Sequence, residues 1–178
     1  MRKTVMLFLA GAAGASVMTY ALTRVGVAQG YAPEQPIDFS HVLHAGENRI
    51  PCLYCHFGAE TSRHAGIPPS AVCMNCHAQL KVQTVEIAKL KEAVAQARPL
   101  VWIKVHNLPD FVYFNHAQHV RVAGLDCREC HGDVETMQRL RQDAPLTMGW
   151  CIDCHRRQGF SAGARGELAG LDCSKCHY

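Results

Sequence analysis

Cys127-Arg128-Glu129-Cys130-His131 closes a run that opens with Phe114-Asn115-His116-Ala117-Gln118-His119. Cys-x-x-Cys-His is the attachment signature of a c-type haem. The order follows from chemistry. Two thiols add to the two vinyl groups of the porphyrin, and a spacing of three puts both on one helical turn. The next residue then lies under the macrocycle, where its imidazole takes the proximal position on iron.

Working outward, the same five-residue pattern occurs five times. The pairs are Cys52/Cys55, Cys73/Cys76, Cys127/Cys130, Cys151/Cys154 and Cys173/Cys176, followed by His56, His77, His131, His155 and His177. All ten cysteines are used. Zinc sites need pairs of such pairs, so five would leave one unmatched. Neither a zinc site nor a redox dithiol requires His after every second Cys, and disulfides do not explain the pattern. Five covalently attached c-type haems are expected.

Composition agrees. The chain has 178 residues, 48% hydrophobic, 19% charged and 7% aromatic, which excludes a disordered tail. The formal charge of +3 comes from Arg2, Lys3 and Arg24; residues 30–178 carry 15 basic and 15 acidic groups. No nucleic-acid partner is expected from that balance. Roughly 30 residues per haem build a poor core of their own. The expected fold is a mostly irregular and α-helical multihaem cytochrome c, its core made by the porphyrins, with short helices and loops around them.

Arg2 and Lys3 precede an uncharged run whose 19 residues from Val5 to Thr23 span roughly 28 Å as a helix, about one hydrocarbon core. Cleaved signals have shorter apolar stretches. Gly26-Val27-Ala28 does offer small residues at cleavage spacing, but the length favours a retained, single-pass anchor. Positive residues ahead of the span put the N-terminus in the cytoplasm and the haem portion on the periplasmic side of the inner membrane. Gly11 and Ala15 form a small-xxx-small face suited to another membrane helix.

The chain also repeats. Adding 75 to positions 39, 41, 44, 52, 55 and 56 gives 114, 116, 119, 127, 130 and 131, with matching residues at all six. A haem-binding unit has been duplicated. The expected organisation is an anchor at 1–28, a tether at 29–38 marked by Gly30, Pro33 and Pro36, and a two-haem unit at 39–77. A connecting helix and linker at 78–113 and a three-haem unit at 114–178 complete it. Leu80, Val85, Ala88, Leu90, Val94 and Ala97 lie at helical spacing between Ala78 and Arg98, and Pro99 ends the helix. Leu100-Val101-Trp102-Ile103 is the one short strand candidate. Gly58, Gly66, Pro68, Pro69, Gly159, Gly163, Gly166 and Gly170 suit loops around haem edges.

Six histidines remain for the distal faces. His41/His44 and His116/His119 each project from one side of a short helix, so each pair reaches two neighbouring haems. His64 is a further distal candidate. His106 is another, with a hydrogen bond near a propionate as its alternative reading. Met148 is the thioether candidate, and a Met ligand would raise one haem's potential. Trp150 and Tyr54 are expected to pack on porphyrin, and Met74 and Met137 to serve packing.

The Phe-x-His-x-x-His…Cys-x-x-Cys-His unit resembles small multihaem cytochromes of the c7 and c3 type. That resemblance implies that His41 and His116 serve the first haem of their units and His44 and His119 a later one. The combination goes further. Ile50-Pro51-Cys52-Leu53-Tyr54-Cys55-His56, Ser62-Arg63-His64-Ala65-Gly66-Ile67-Pro68, Val72-Cys73-Met74-Asn75-Cys76-His77, Val105-His106-Asn107-Leu108-Pro109-Asp110 and Met148-Gly149-Trp150-Cys151 follow the anchor in this order. Together they resemble the pentahaem cytochrome subunits of bacterial alternative complex III; related subunits serve other quinone-linked complexes. The resemblance implies a non-enzymatic electron-transfer subunit. It would take electrons from an iron–sulfur protein subunit beside polytopic quinol-binding membrane subunits and pass them to another cytochrome c or a soluble carrier.

Two other functions compete. A self-contained quinol dehydrogenase of the anchored tetrahaem type also joins one helix to several motifs. Here, though, the first motif begins 29 residues beyond Thr23, after a Pro-containing tether. A multihaem reductase needs an open iron position, whereas this sequence has a surplus of distal candidates.

Overall fold

The computed structural model describes residues 2–23, 25–157 and 172–177. Gly159, Gly163, Gly166 and Gly170 lie outside the described residues, as does Arg24. Helix α1 (Arg2–Thr23) opens with Arg2 and Lys3 and continues as an uncharged, mostly apolar run, long and apolar enough to cross a membrane, with none of that span buried against the rest of the protein. Its few polar side chains satisfy themselves: the Ser16 and Thr19 hydroxyls donate to the carbonyls of Ala12 and Ala15, both at 2.9 Å. That removes the cost of a hydroxyl in an apolar medium.

Residues 29–38 run without helix or strand, with a turn at 29–30 and a bend at 36–37, and are hydrogen-bonded to later parts of the chain. Gly30 N–H donates to the Gln142 carbonyl at 2.7 Å and Gln142 N–H to the Tyr31 carbonyl at 3.0 Å. The Gln35 side chain donates to the Ile103 carbonyl and accepts from its N–H, both at 2.9 Å. Leu100–Ile103, the strand candidate, is therefore not a strand: Ile103 pairs with a side chain, and Trp102 N–H donates locally to the Leu100 carbonyl at 3.2 Å. Among the described residues there is no strand.

The remaining helices are short. They are α2 (Cys52–Cys55), α3 (Ser70–His77), α4 (Val85–Ala95), α5 (Arg128–His131) and α6 (Met148–Arg157). π-helical turns at Val42–Glu47 and Gln118–Val122, and 3₁₀ turns at Val134–Thr136 and Cys173–Lys175, complete the set. The connecting helix is shorter than the periodicity from Ala78 to Arg98 implies. Thr84 caps α4 by accepting from Ile87 N–H at 3.2 Å, so the helix cannot start earlier. At its other end Ala97 turns left-handed (φ 50°), Arg98 N–H donates to the Ala93 carbonyl and Ala97 N–H to that of Val94. This is a Schellman closure, enforced by Pro99, which disfavours helical backbone at Arg98. Leu80 is left outside the helix and exposed, while Leu90 and Ala93 make the buried face.

The polypeptide core is small. Among the described residues the buried apolar side chains are Ile37, Ala59, Leu90, Ala93, Val105, Met137 and Ala144. Met137, read from sequence as packing, is 2% exposed. Gln142 is fully buried and acts as a hub: its Oε1 accepts from Asn107 N–H at 2.9 Å and its Nε2 donates to the Ala144 carbonyl at 3.1 Å.

Candidate functional site

Each attachment motif sits on a helical turn, as the thioether spacing requires. The five occupy α2, the end of α3, α5, the middle of α6 and the last 3₁₀ turn. In three motifs the His N–H closes on the carbonyl of the first Cys: His56 on Cys52 at 2.8 Å, His131 on Cys127 at 3.0 Å and His177 on Cys173 at 2.9 Å.

The duplicated units repeat side chain by side chain. Phe39 stacks on His44 with ring centroids 4.3 Å apart, and Phe114 stacks on His119 at the same 4.3 Å. The same phenyl rings meet His41 and His116 edge-on, at 4.9 and 4.8 Å. His44 Nδ1 lies 2.8 Å from the Ser40 carbonyl, and His119 Nδ1 lies 2.8 Å from that of Asn115. Phe39 and Phe114 were visible in the repeat, but their part in orienting both imidazoles of a pair was not.

The π-helical turns hold His44 and His119, and His41 and His116 stand just ahead of them. His44 faces His77 with centroids 6.1 Å apart, His116 faces His131 at 6.4 Å, and His119 faces His155 at 6.0 Å. One metal bound by two imidazoles from opposite sides, at about 2.0 Å per bond, holds their centroids roughly 6 Å apart. The three pairs therefore fit an iron between their rings. His41 lies near His56; burial first, then the charges of His56 and His44, lower its pKa to about 4. Burial, then His106, His116 and His56, lowers His131 likewise to about 4. Both rings are held neutral, the form that binds a metal. The buried Nδ1 atoms of His41 and His77 have no protein partner, a deficit that a bound group or ordered water removes.

The cysteines form a continuous series. Cys55 lies within electrostatic reach of Cys73 and Cys76. Cys127 lies within electrostatic reach of Cys52. Burial, then Cys154 and Cys151, pushes the Cys130 thiol up to about 11. Burial, then Cys176, raises Cys151. The motifs are thus neighbours in the order second, first, third, fourth, fifth.

The two units also interlock. The Ser62 carbonyl accepts from Ala117 N–H at 3.1 Å, and the Arg63 carbonyl lies 2.9 Å from His116 Nδ1. The Arg63 guanidinium lies 5.2 Å from the centroid of the Tyr113 ring, and Tyr113 N–H donates to the Cys176 carbonyl at 2.9 Å. His64 sits in this loop, exposed, its N–H on Ser62 Oγ at 3.3 Å. Met148 is 64% exposed at the start of α6. Asn75 donates to the Tyr54 hydroxyl at 3.1 Å, and Trp150 N–H donates to Thr147 Oγ1 at 3.3 Å. His106 stands against His131, its Nε2 3.0 Å from His131 Nδ1.

Gly132 closes the third motif at φ 69°, ψ −168°, a region used almost only by glycine, and a Cβ there would lie 2.6 Å from Asp143 Cγ. Gly132→Ala should cost about 1–3 kcal/mol from the backbone alone. Denaturant unfolding of the haem-loaded protein should show an earlier midpoint; an unchanged midpoint would mean that the loop relaxes freely.

Comparison with known proteins agrees with these features. Residues 112–178 match the family described as cytochrome c7 and related cytochrome c. A curated relative is the multiheme cytochrome c subunit of menaquinone reductase from Nitratidesulfovibrio vulgaris (strain Hildenborough). It is 36% identical over 100 residues, covering 55% of this chain and 46% of the relative. The match thus spans about half of each protein. Residues 112–178 are thus similar to c7-type multihaem domains, a family that carries covalently bound c-type haem.

Proposed function

We propose that the chain is a membrane-anchored pentahaem c-type cytochrome. It relays electrons between the iron–sulfur clusters of a quinone-linked membrane complex and a further cytochrome or soluble carrier. The observation that carries the reading is the unbroken series of neighbouring motifs, which suits a wire. Bound haem supplies a one-electron iron couple. The chain's own residues attach, orient and insulate it. His56, His77, His131, His155 and His177 take the proximal positions; His41, His44, His116 and His119 take the distal positions of the first four irons. His64 takes the fifth, because Arg63 and Tyr113 tie its loop to Cys176. Imidazoles on both sides of each iron keep substrates off and suit outer-sphere transfer rather than catalysis.

In this reading α1 is the inner-membrane anchor, N-terminus in the cytoplasm and haem domain in the periplasm. The partners are those of alternative complex III or a related assembly: an iron–sulfur subunit and polytopic quinol-binding subunits. Replacing residues 1–28 with a cleavable signal should release red protein with five haem masses into the soluble fraction. Retention in the membrane would show that contacts other than α1 hold it there.

The relative's name favours a second reading, in which electrons run inward to reduce menaquinone. A bis-imidazole wire serves either direction. Gentle detergent purification of the native assembly, with subunit identification and assays of quinol oxidation and quinone reduction, decides between them. A cytochrome purified without partners and oxidising quinol by itself would overturn both.

A further inference from the structure

We infer that His106 is a positioning residue for the third-motif haem. Its Nε2 takes the proton-bearing Nδ1 of His131 as a hydrogen-bond donor and thereby lowers that haem's midpoint potential relative to the first-motif haem. The inference deepens the reading of His131 as a proximal ligand and rests on it.

The geometry separates His131 from five other histidines of the site. The Nδ1 atoms of His44, His56, His116, His119 and His177 lie against backbone carbonyls of Ser40, Gly66, Arg63, Asn115 and Phe111, at 2.8 to 3.1 Å. His131 Nδ1 lies against an imidazole nitrogen, 3.0 Å away, with the two rings edge to face at 82°. The repeat supplies an internal control. His56 stands at the position of His131 less 75 and uses the Gly66 carbonyl at 2.8 Å. Position 31, which corresponds to His106, is Tyr.

The tautomers follow from ligation. If His131 binds iron through Nε2, its Nδ1 carries the proton and donates. His106 Nε2 then accepts, and the His106 proton sits on Nδ1. A neutral imidazole nitrogen, with a conjugate-acid pKa of about 6.5, is a far stronger base than a peptide carbonyl. The stronger acceptor draws the His131 proton away, makes its Nε2 a better electron donor, and favours the ferric over the ferrous state.

The contact is built. Val105, immediately before His106, is buried, and Asn107 N–H, immediately after it, donates to Oε1 of the fully buried Gln142. The backbone is therefore held on both sides of the ring. That leaves His106 facing the proximal ligand, while the opposite side of the same pair belongs to His116.

The test uses the full-length haem-loaded protein. Intact mass is measured first: fewer than five haem adducts on the unaltered chain means the reading of the motifs has failed, independently of His106. With five adducts, His106→Phe should raise one of five midpoints in a spectroelectrochemical titration. All haems should stay low-spin and unreactive to carbon monoxide. His106→Gln, which restores a carbonyl acceptor, should return that midpoint part of the way, towards that of the first-motif haem. Unchanged midpoints in His106→Phe with all five haems present overturn the inference. So does a carbon monoxide-binding haem in that variant, which would make His106 an iron ligand.

Discussion

Replacing Cys127 and Cys130 together by alanine is expected to break the molecule in the middle. The third motif lies within electrostatic reach of the first, through Cys52, and of the fourth, through Cys151 and Cys154. Together with the first motif, it forms the junction between the two duplicated units. The double variant should carry four haem masses and lose about a fifth of the haem absorbance. It should also unfold earlier than any single surface variant, because the apolar core near this motif is confined to a few side chains such as Met137 and Val105. Stopped-flow reduction from one end should leave the far haems slow. If all four remaining haems still equilibrate at the native rate, the second-first-third-fourth-fifth series is not the conducting path.

His119→Ala is expected to have the second largest effect. In the reading advanced here His119 caps the iron whose other ligand is His155, the ring it faces at 6.0 Å. Electron paramagnetic resonance should show one high-spin haem beside four low-spin ones. About a fifth of the reduced haem should bind carbon monoxide. His119→Met, which keeps a ligand, should remain low-spin with one raised midpoint potential. Five unaltered low-spin signals in His119→Ala would remove His119 from the ligand set and weaken the parallel assignment of His44, since the two share their phenyl stack and carbonyl contact.

Much of the site is legible in the sequence because covalent attachment is local. Two cysteines and a histidine must share one turn, so Cys-x-x-Cys-His announces itself without reference to the fold. The duplication is equally legible, and the side-chain contacts of Phe39 and Phe114 repeat as the offset of 75 implies. The connecting helix was legible only in part. Apolar periodicity spans Ala78 to Arg98, but Thr84 and the left-handed Ala97 set the ends at Val85 and Ala95. Capping chemistry overrides periodicity at helix ends because it satisfies backbone groups that the helix leaves open.

His106 shows the limit most clearly. A histidine's spacing from other histidines says nothing about whether it faces an iron or another imidazole. Its place against His131 follows from Gln142, 36 positions away, whose buried amide fixes Asn107. The sequence alone therefore determined the attachment motifs, the apolar first helix and the paired histidines, all set by neighbours along the chain. The tertiary structure alone decided which histidine meets which, the order in which the motifs touch, and the partner of each ring nitrogen. Those depend on contacts between residues far apart in sequence, which local spacing cannot encode.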